Sequence, residues 1–174
     1  MVAMKDVLKV FEPCYYFKLG EKYYQVTARD FFKLDKTFSS VSASGESSKT
    51  EVDELEPEKG EVYVFTMGVF QKGIEVEVYQ PAAVGRFGVK NYTASITWED
   101  SPAEEPNQAI VLATVHGHSL SVKFTNNLDV AITPKLRFIG FKYKVEEVKD
   151  AAKIRELEAL WKEGKLPEIE IKYE

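Results

Sequence analysis

Cysteine occurs once in the 174 residues, as Cys14. A single thiol excludes an intrachain disulfide framework and any cysteine-rich zinc site. Histidine occurs twice, as His116 and His118, which leaves little material for metal ligation or for proton transfer near neutral pH. No apolar run approaches the roughly 20 residues that a helix needs to cross a bilayer. The first ten residues carry Lys5, Asp6 and Lys9 where a signal peptide would carry a greasy stretch. Neither a membrane span nor a signal peptide is expected. There is no G-x-S-x-G, no P-loop and no G-x-G-x-x-G, and Gly85-Arg86-Phe87-Gly88 is too short to cradle a phosphate. The chain is expected to be no enzyme and to use no cofactor.

Basic residues are also in deficit, 23 against 28 acidic, for a net charge of −5. Phosphate contacts need clustered Lys and Arg, so specific nucleic acid is not an expected partner. The charged set is skewed to 19 Lys over 4 Arg and 21 Glu over 7 Asp, with four Asn and four Gln. Lys/Glu enrichment with few thermolabile amides is a composition of hot habitats.

What is present is strand. Four stretches make one domain overall. Residues 1–36 are an aromatic-rich arm or hairpin, 37–60 a polar Ser/Thr/Glu-rich loop, 61–148 a β-sandwich core, and 149–174 a helix followed by a short strand. Cys14–Leu19 and Lys22–Thr27 flank Gly20-Glu21, a two-residue hairpin turn with glycine first. Glu61–Gln71 and Ile74–Gln80 flank Lys72-Gly73. Asn91–Glu99 and Ser119–Thr125 alternate apolar with polar residues, and Ala109–Val115 is continuously apolar. A three-residue loop Asn126-Asn127-Leu128 would pair Phe124 with Val130 and Val122 with Ile132. In the run from Val130 to Val145, Leu136 and Phe138 share one face. Phe141, Tyr143 and Val145 share the other, so a bulge at Gly140 is expected to bring both sets inside. Val148, Ala151, Ile154, Leu157 and Leu160 recur at helical spacing, with Trp161 beside them, and Gly164 and Pro167 stop the helix. The fold class is therefore all-β. It is an antiparallel jelly roll or β-sandwich of about eight strands, with one C-terminal helix and a short terminal strand.

The strand from Val62 to Phe70 is apolar on both faces. If Tyr63, Phe65, Met67 and Val69 point inward, then Val62, Val64 and Phe70 are left over. A two-sheet sandwich buries one face per strand, so the C-terminal helix, the N-terminal segment or another subunit must cover the surplus. Val62, Val64 and Phe70 are accordingly the candidate subunit interface.

Chemistry-bearing candidates are few. His116-Gly117-His118 has metal-like spacing, since alternate residues on a strand face one way. It serves equally as a turn with a positive-φ glycine. Glu75 and Glu77 share a strand face, as glycosidase carboxylates must, but a Lys/Glu surface produces such pairs by chance. Glu104-Glu105 lies between two prolines, and Cys14 reads as a core residue at the start of a strand. No catalytic and no metal residue is assigned.

The hairpin Ser119-Leu120-Ser121-Val122-Lys123-Phe124-Thr125-Asn126-Asn127 and the strand Leu136-Arg137-Phe138-Ile139-Gly140-Phe141-Lys142-Tyr143-Lys144-Val145 carry a resemblance. With the strands before them, over residues 61–148, they resemble the single jelly-roll coat proteins of icosahedral viruses and, second, the tail-tube proteins of tailed viruses. A long C-terminal helix departs from that pattern. The resemblance implies a virion structural protein, a capsid subunit whose partners are copies of itself and other virion proteins, assembled in the host cytoplasm, with residues 1–36 and 37–60 as locking arms. Two alternatives stand beside it. One is a carbohydrate- or ligand-binding β-sandwich with Tyr92 and Trp98 as its first candidates. The other is a cupin-like metal enzyme using His116 and His118.

Overall fold

The computed structural model describes residues 15–43, 47–70, 74–79, 81–84, 95–97 and 107–171. Among them eleven strands, one 3-10 turn and one helix follow in the order β1 (Tyr16–Leu19), β2 (Lys22–Thr37), β3 (Ser47–Glu51), the turn (Asp53–Leu55), β4 (Glu61–Val69), β5 (Ile74–Tyr79), β6 (Ala82–Val84), β7 (Ser95–Thr97), β8 (Asn107–Val115), β9 (Ser121–Asn126), β10 (Lys135–Glu147), α1 (Ala151–Lys162) and β11 (Glu168–Ile171). The fold is all-β, with two antiparallel-rich sheets, a C-terminal helix and a final short strand. Seven strands close into a barrel in the order β1-β11-β6-β8-β4-β10-β2, and β3-β9-β5-β7 form a four-stranded sheet. One pairing in the barrel, β1 with β11, is parallel.

The long strands of the barrel outrun the short ones. β10 pairs with β2 from Lys135 to Glu147 and with β4 from Leu136 to Lys144, whereas β1, β6 and β11 have only three or four residues each. The long strands therefore do two things along their length. At one end they are barrel staves. At the other they form one layer of a sandwich with the four-stranded sheet.

β4 shows why this uses both of its apolar faces. Phe65, Met67 and Val69 pack with Ile74, Val76, Val78, Val122 and Phe124 in the sandwich core, with Tyr63 at its margin. Val62 and Val64 turn the other way, into the barrel, against Val111, Ala113, Val115, Tyr143 and Ile169. Burying a side chain of this size contributes about 1.5–3 kcal/mol, so each face of β4 is a driving force by itself. The surplus face is thus covered by closure of the sheet on itself. The helix lies elsewhere. Its Leu157, with Ile154, Leu160 and Trp161, packs on Tyr16 and Tyr23 outside the β1–β2 hairpin.

Three local expectations change. β10 continues through Gly140 in unbroken register with both neighbours, and its irregularity falls between Lys144 and Val145 instead. No bulge is needed at Gly140 because both faces of β10 are internal. Leu136 and Phe138 face the sandwich, while Tyr143, with Phe141 and Val145 around it, faces the barrel. Glycine is required there for another reason. A Cβ at Gly140 would overlap the Val64 carbonyl oxygen and lie 2.6 Å from Phe65 Cα. The two strands touch between the residues that face the sandwich and those that face the barrel. Second, β4 and β5 are not hairpin partners: β4 pairs with β8 and β10, and β5 with β7 and β9. The chain crosses between sheets there, and Lys72-Gly73 lies outside the described residues. Third, β9 pairs with β3 and β5, not with the segment after it, and Ile132 bridges to Val41. Buried Asn126 ties that region instead. Its amide donates to the carbonyls of Val41 (3.1 Å), Ser42 (3.3 Å) and Val130 (2.8 Å), and its oxygen accepts from Leu128 N (2.9 Å).

Other features follow the sequence. Leu19 pairs with Lys22 across Gly20-Glu21, with Gly20 at φ 62. Asp150 caps the helix by accepting from Lys153 N at 3.2 Å, and Gly164 closes it at φ 76. From Tyr16 on, the anticipated arm supplies two barrel strands, and the 37–60 loop contains β3 and the 3-10 turn.

Two predictions test this construction. Gly140→Ala should cost about 3 kcal/mol by overpacking and lower Tm by roughly 5–10 °C in a calorimetric scan. An unchanged Tm would mean that β4 and β10 do not touch. Asp35 and Arg137 sit opposite each other on β2 and β10, with hydrogen bonds of 2.7 and 3.1 Å. The Arg137 hydrogen bonds hold the Asp35 carboxyl below its ordinary value. A lowered folded-state pKa stabilises above the unfolded value of about 4, and that stability is lost as pH falls through the folded value. Asp35→Asn should therefore lose about 0.5–1 kcal/mol at pH 7, a half-exposed pair being screened. In urea melts the gap from wild type should close towards pH 2. A pH-independent gap would contradict the assignment.

Candidate functional surfaces: the barrel mouth and the edge of β2

Two places on the described surface are set apart by their geometry. The first is one end of the barrel. β1, β8, β10 and β11 end there, and β2 and β4 begin there. The ends enclose a hollow of about 450 Å³. Leu19, Tyr24, Val62, Val115, Val145 and Ile171 give it an apolar floor, and Lys22, Lys59, Glu61, His116, His118 and Glu147 stand among its walls. Its carboxylates are engaged: Glu147 with Lys22 at 3.0 Å, and Glu61 with Lys142 at 3.4 Å and with the backbone N–H of Glu58 at 3.1 Å. Those hydrogen bonds raise the pKa of both lysines above the ordinary ammonium value. Among the described residues Lys59 makes no ion pair.

The second place is the outer edge of β2. β10 pairs along its inner edge from Tyr24 to Thr37, whereas β1 pairs on its outer edge only from Lys22 to Gln25. From Thr27 to Thr37 that outer edge carries no further strand among the described residues. Phe32 and Leu34 pack towards the sandwich core. The opposite face presents Arg29, Phe31, Lys33 and Asp35. Phe31 is 62% exposed, against the edge of the Phe141 ring at 5.7 Å, and Arg29 lies over Phe141 at 4.6 Å.

The candidate interface residues lie elsewhere. Val62 (3% exposed) and Val64 (6%) line the barrel interior, and Phe70 (7%) is buried beneath Lys135 and Arg137 at 4.6 and 5.1 Å. The chain itself covers all three. The reason is barrel closure, which a two-layer scheme leaves out.

The histidines do meet a cavity wall, but across a turn. Gly117 between them takes φ 87, and His118 N donates to Val115 O at 3.1 Å. His116 is exposed, with Nδ1 3.3 Å from Pro57 O. Among the described residues no group of three or more His, Cys, Asp or Glu is placed to hold a metal ion. Glu75 and Glu77 face outward from β5, and Glu77 accepts from Tyr79 OH at 2.9 Å and faces Lys123 at 3.7 Å. Cys14, Tyr92, Trp98, Glu104, Glu105 and Gly85–Gly88 lie outside the described residues. Sequence reasoning missed Lys59, Tyr24 and the edge of β2. The alternation of Phe32 and Leu34 against Phe31, Lys33 and Asp35 was the available signal for the last.

Comparison with protein-family models, with curated proteins and with solved structures finds no match to this chain. Zinc should leave the melting temperature at its metal-free value. A rise abolished by His118→Ala would show that the two imidazoles share an ion.

Proposed function

We propose that this chain is a structural subunit that assembles with copies of itself, in the role of a virion coat or tube protein. One observation carries the self-association: the outer edge of β2 from Thr27 to Thr37 has backbone groups with no strand partner among the described residues. Such an edge is a template for pairing with another chain. The side chains along it complement a second copy. If two β2 strands pair antiparallel about a two-fold axis at Phe32, Arg29 stands opposite Asp35 of the second copy and Phe31 opposite its Lys33. Each pairing occurs twice by symmetry. A carboxylate has four lone-pair sites, so Asp35 can take this arginine while holding Arg137. Cross-strand ion pairs contribute about 0.2–1 kcal/mol each, and a cation over an exposed aromatic about 0.5–1 kcal/mol. These add to the backbone hydrogen bonds of a continuous sheet.

Support for a virion in particular comes from the strand texture shared with single jelly-roll coat proteins and with tail-tube proteins. The Lys/Glu-rich composition fits a thermophilic host. Association through an edge needs no exposed apolar face, which agrees with the burial of Val62, Val64 and Phe70.

Light scattering after size exclusion, with electron microscopy of the concentrated protein, tests this. The wild type should form two-fold dimers, and growth of these into particles or tubes takes a second contact besides the β2 edge. Phe31→Lys places like charges opposite each other and should leave monomers, whereas Phe31→Glu restores a pair with Lys33 and should still associate. A wild type that is monomeric at every concentration, or assemblies indifferent to Phe31→Lys, would overturn the proposal.

A further inference from the structure

The barrel mouth carries an inference independent of assembly. In the middle of the barrel Phe17, Val64, Ala113, Tyr143 and Ile169 fill the lumen with side chains. A barrel of about eight strands has an interior only just wide enough for that, or for one small ligand. At the mouth the filling stops. Leu19, Tyr24, Val145 and Ile171 are only half-buried, and they line the hollow of about 450 Å³ together with buried Val62 and Val115. Half-exposed apolar side chains at the bottom of a concave site stay hydrated until something apolar displaces the water. A hollow of this volume is within the range of small-molecule sites, which favour barrel mouths.

The polar wall selects the head group. Glu147 and Glu61 are neutralised by Lys22 and Lys142. Lys59, on the same wall, has no carboxylate partner among the described residues. His116 and His118 line the same hollow, with His116 Nδ1 3.3 Å from the Pro57 carbonyl. An incoming cation would meet an unpaired ammonium, and a neutral chain would leave Lys59 unanswered. An anion would pair with it.

We propose that the mouth binds a small amphipathic carboxylate, its hydrocarbon body against Leu19, Tyr24, Val145 and Ile171 and its head at Lys59. Binding at this end of the barrel is separate from the β2 edge, which begins beyond it at Thr27.

Isothermal titration with decanoate, decanol and decyltrimethylammonium, each below its aggregation limit, tests the assignment. Decanoate should bind one per chain, at least tenfold more tightly than decanol, and the ammonium should not bind. Lys59→Glu should weaken decanoate at least tenfold and leave decanol unchanged. Ile171→Trp, which fills the hollow, should remove both while circular dichroism and Tm stay at wild-type values. If Ile171→Trp fails to fold, Val145→Trp gives the same readout. Absence of saturable decanoate binding to the wild type, or binding indifferent to Lys59→Glu, would overturn the proposal.

Discussion

The contact between β4 and β10 at Gly140 is the constraint on which the rest of the molecule depends. Only a residue without a Cβ lets β10 approach the Val64 carbonyl and Phe65 there. That approach lets one sheet change its role halfway along. Beyond it, Phe65, Met67, Leu136 and Phe138 form one side of the sandwich. Before it, Val62, Val64 and Tyr143 face a closed lumen. The apolar residues of β4 and β10 point alternately to two cores. Packing at this density tolerates no added methyl.

From that contact follow the surfaces left for function. Both faces of β4 are buried within the chain, so the proposed association uses an edge. Among the described residues β2 offers one, since β1 pairs with it only from Lys22 to Gln25 while β10 pairs with it from Tyr24 to Thr37. At the mouth, Leu19, Val62, Val115, Val145 and Ile171 line the hollow, with Leu19, Val145 and Ile171 only half-buried. Edge and mouth are thus consequences of one closure, with Arg29, Lys33 and Asp35 along the first and Lys59 at the second.

The all-β class, the Gly20-Glu21 hairpin, the capped helix and the terminal strand were legible in sequence because each is specified locally, by glycine position, by period or by a cap. What escaped was non-local. The Lys72-Gly73 signal between two apolar runs suggests a hairpin, yet each run finds its partners far along the chain, β4 with β10 and β5 with β9. Barrel closure relies on β1, β6 and β11, which are too short to show a period. The double face of β4 was visible, but a two-layer scheme had no place for it except another subunit. At the mouth, His116 and His118 stood out by type. Lys59 and Tyr24 did not, since segments distant in sequence bring them together.

Native-state hydrogen exchange on dilute, monomeric protein tests most directly whether one chain covers both faces of β4. Amides from Val62 to Val69 and from Leu136 to Val145 should exchange only through global unfolding, with the same protection at low and high concentration. Rapid exchange around Val62 and Val64 in dilute solution, slowed when the protein is concentrated, would mean that a neighbouring copy covers that face, and the account of barrel closure would fail.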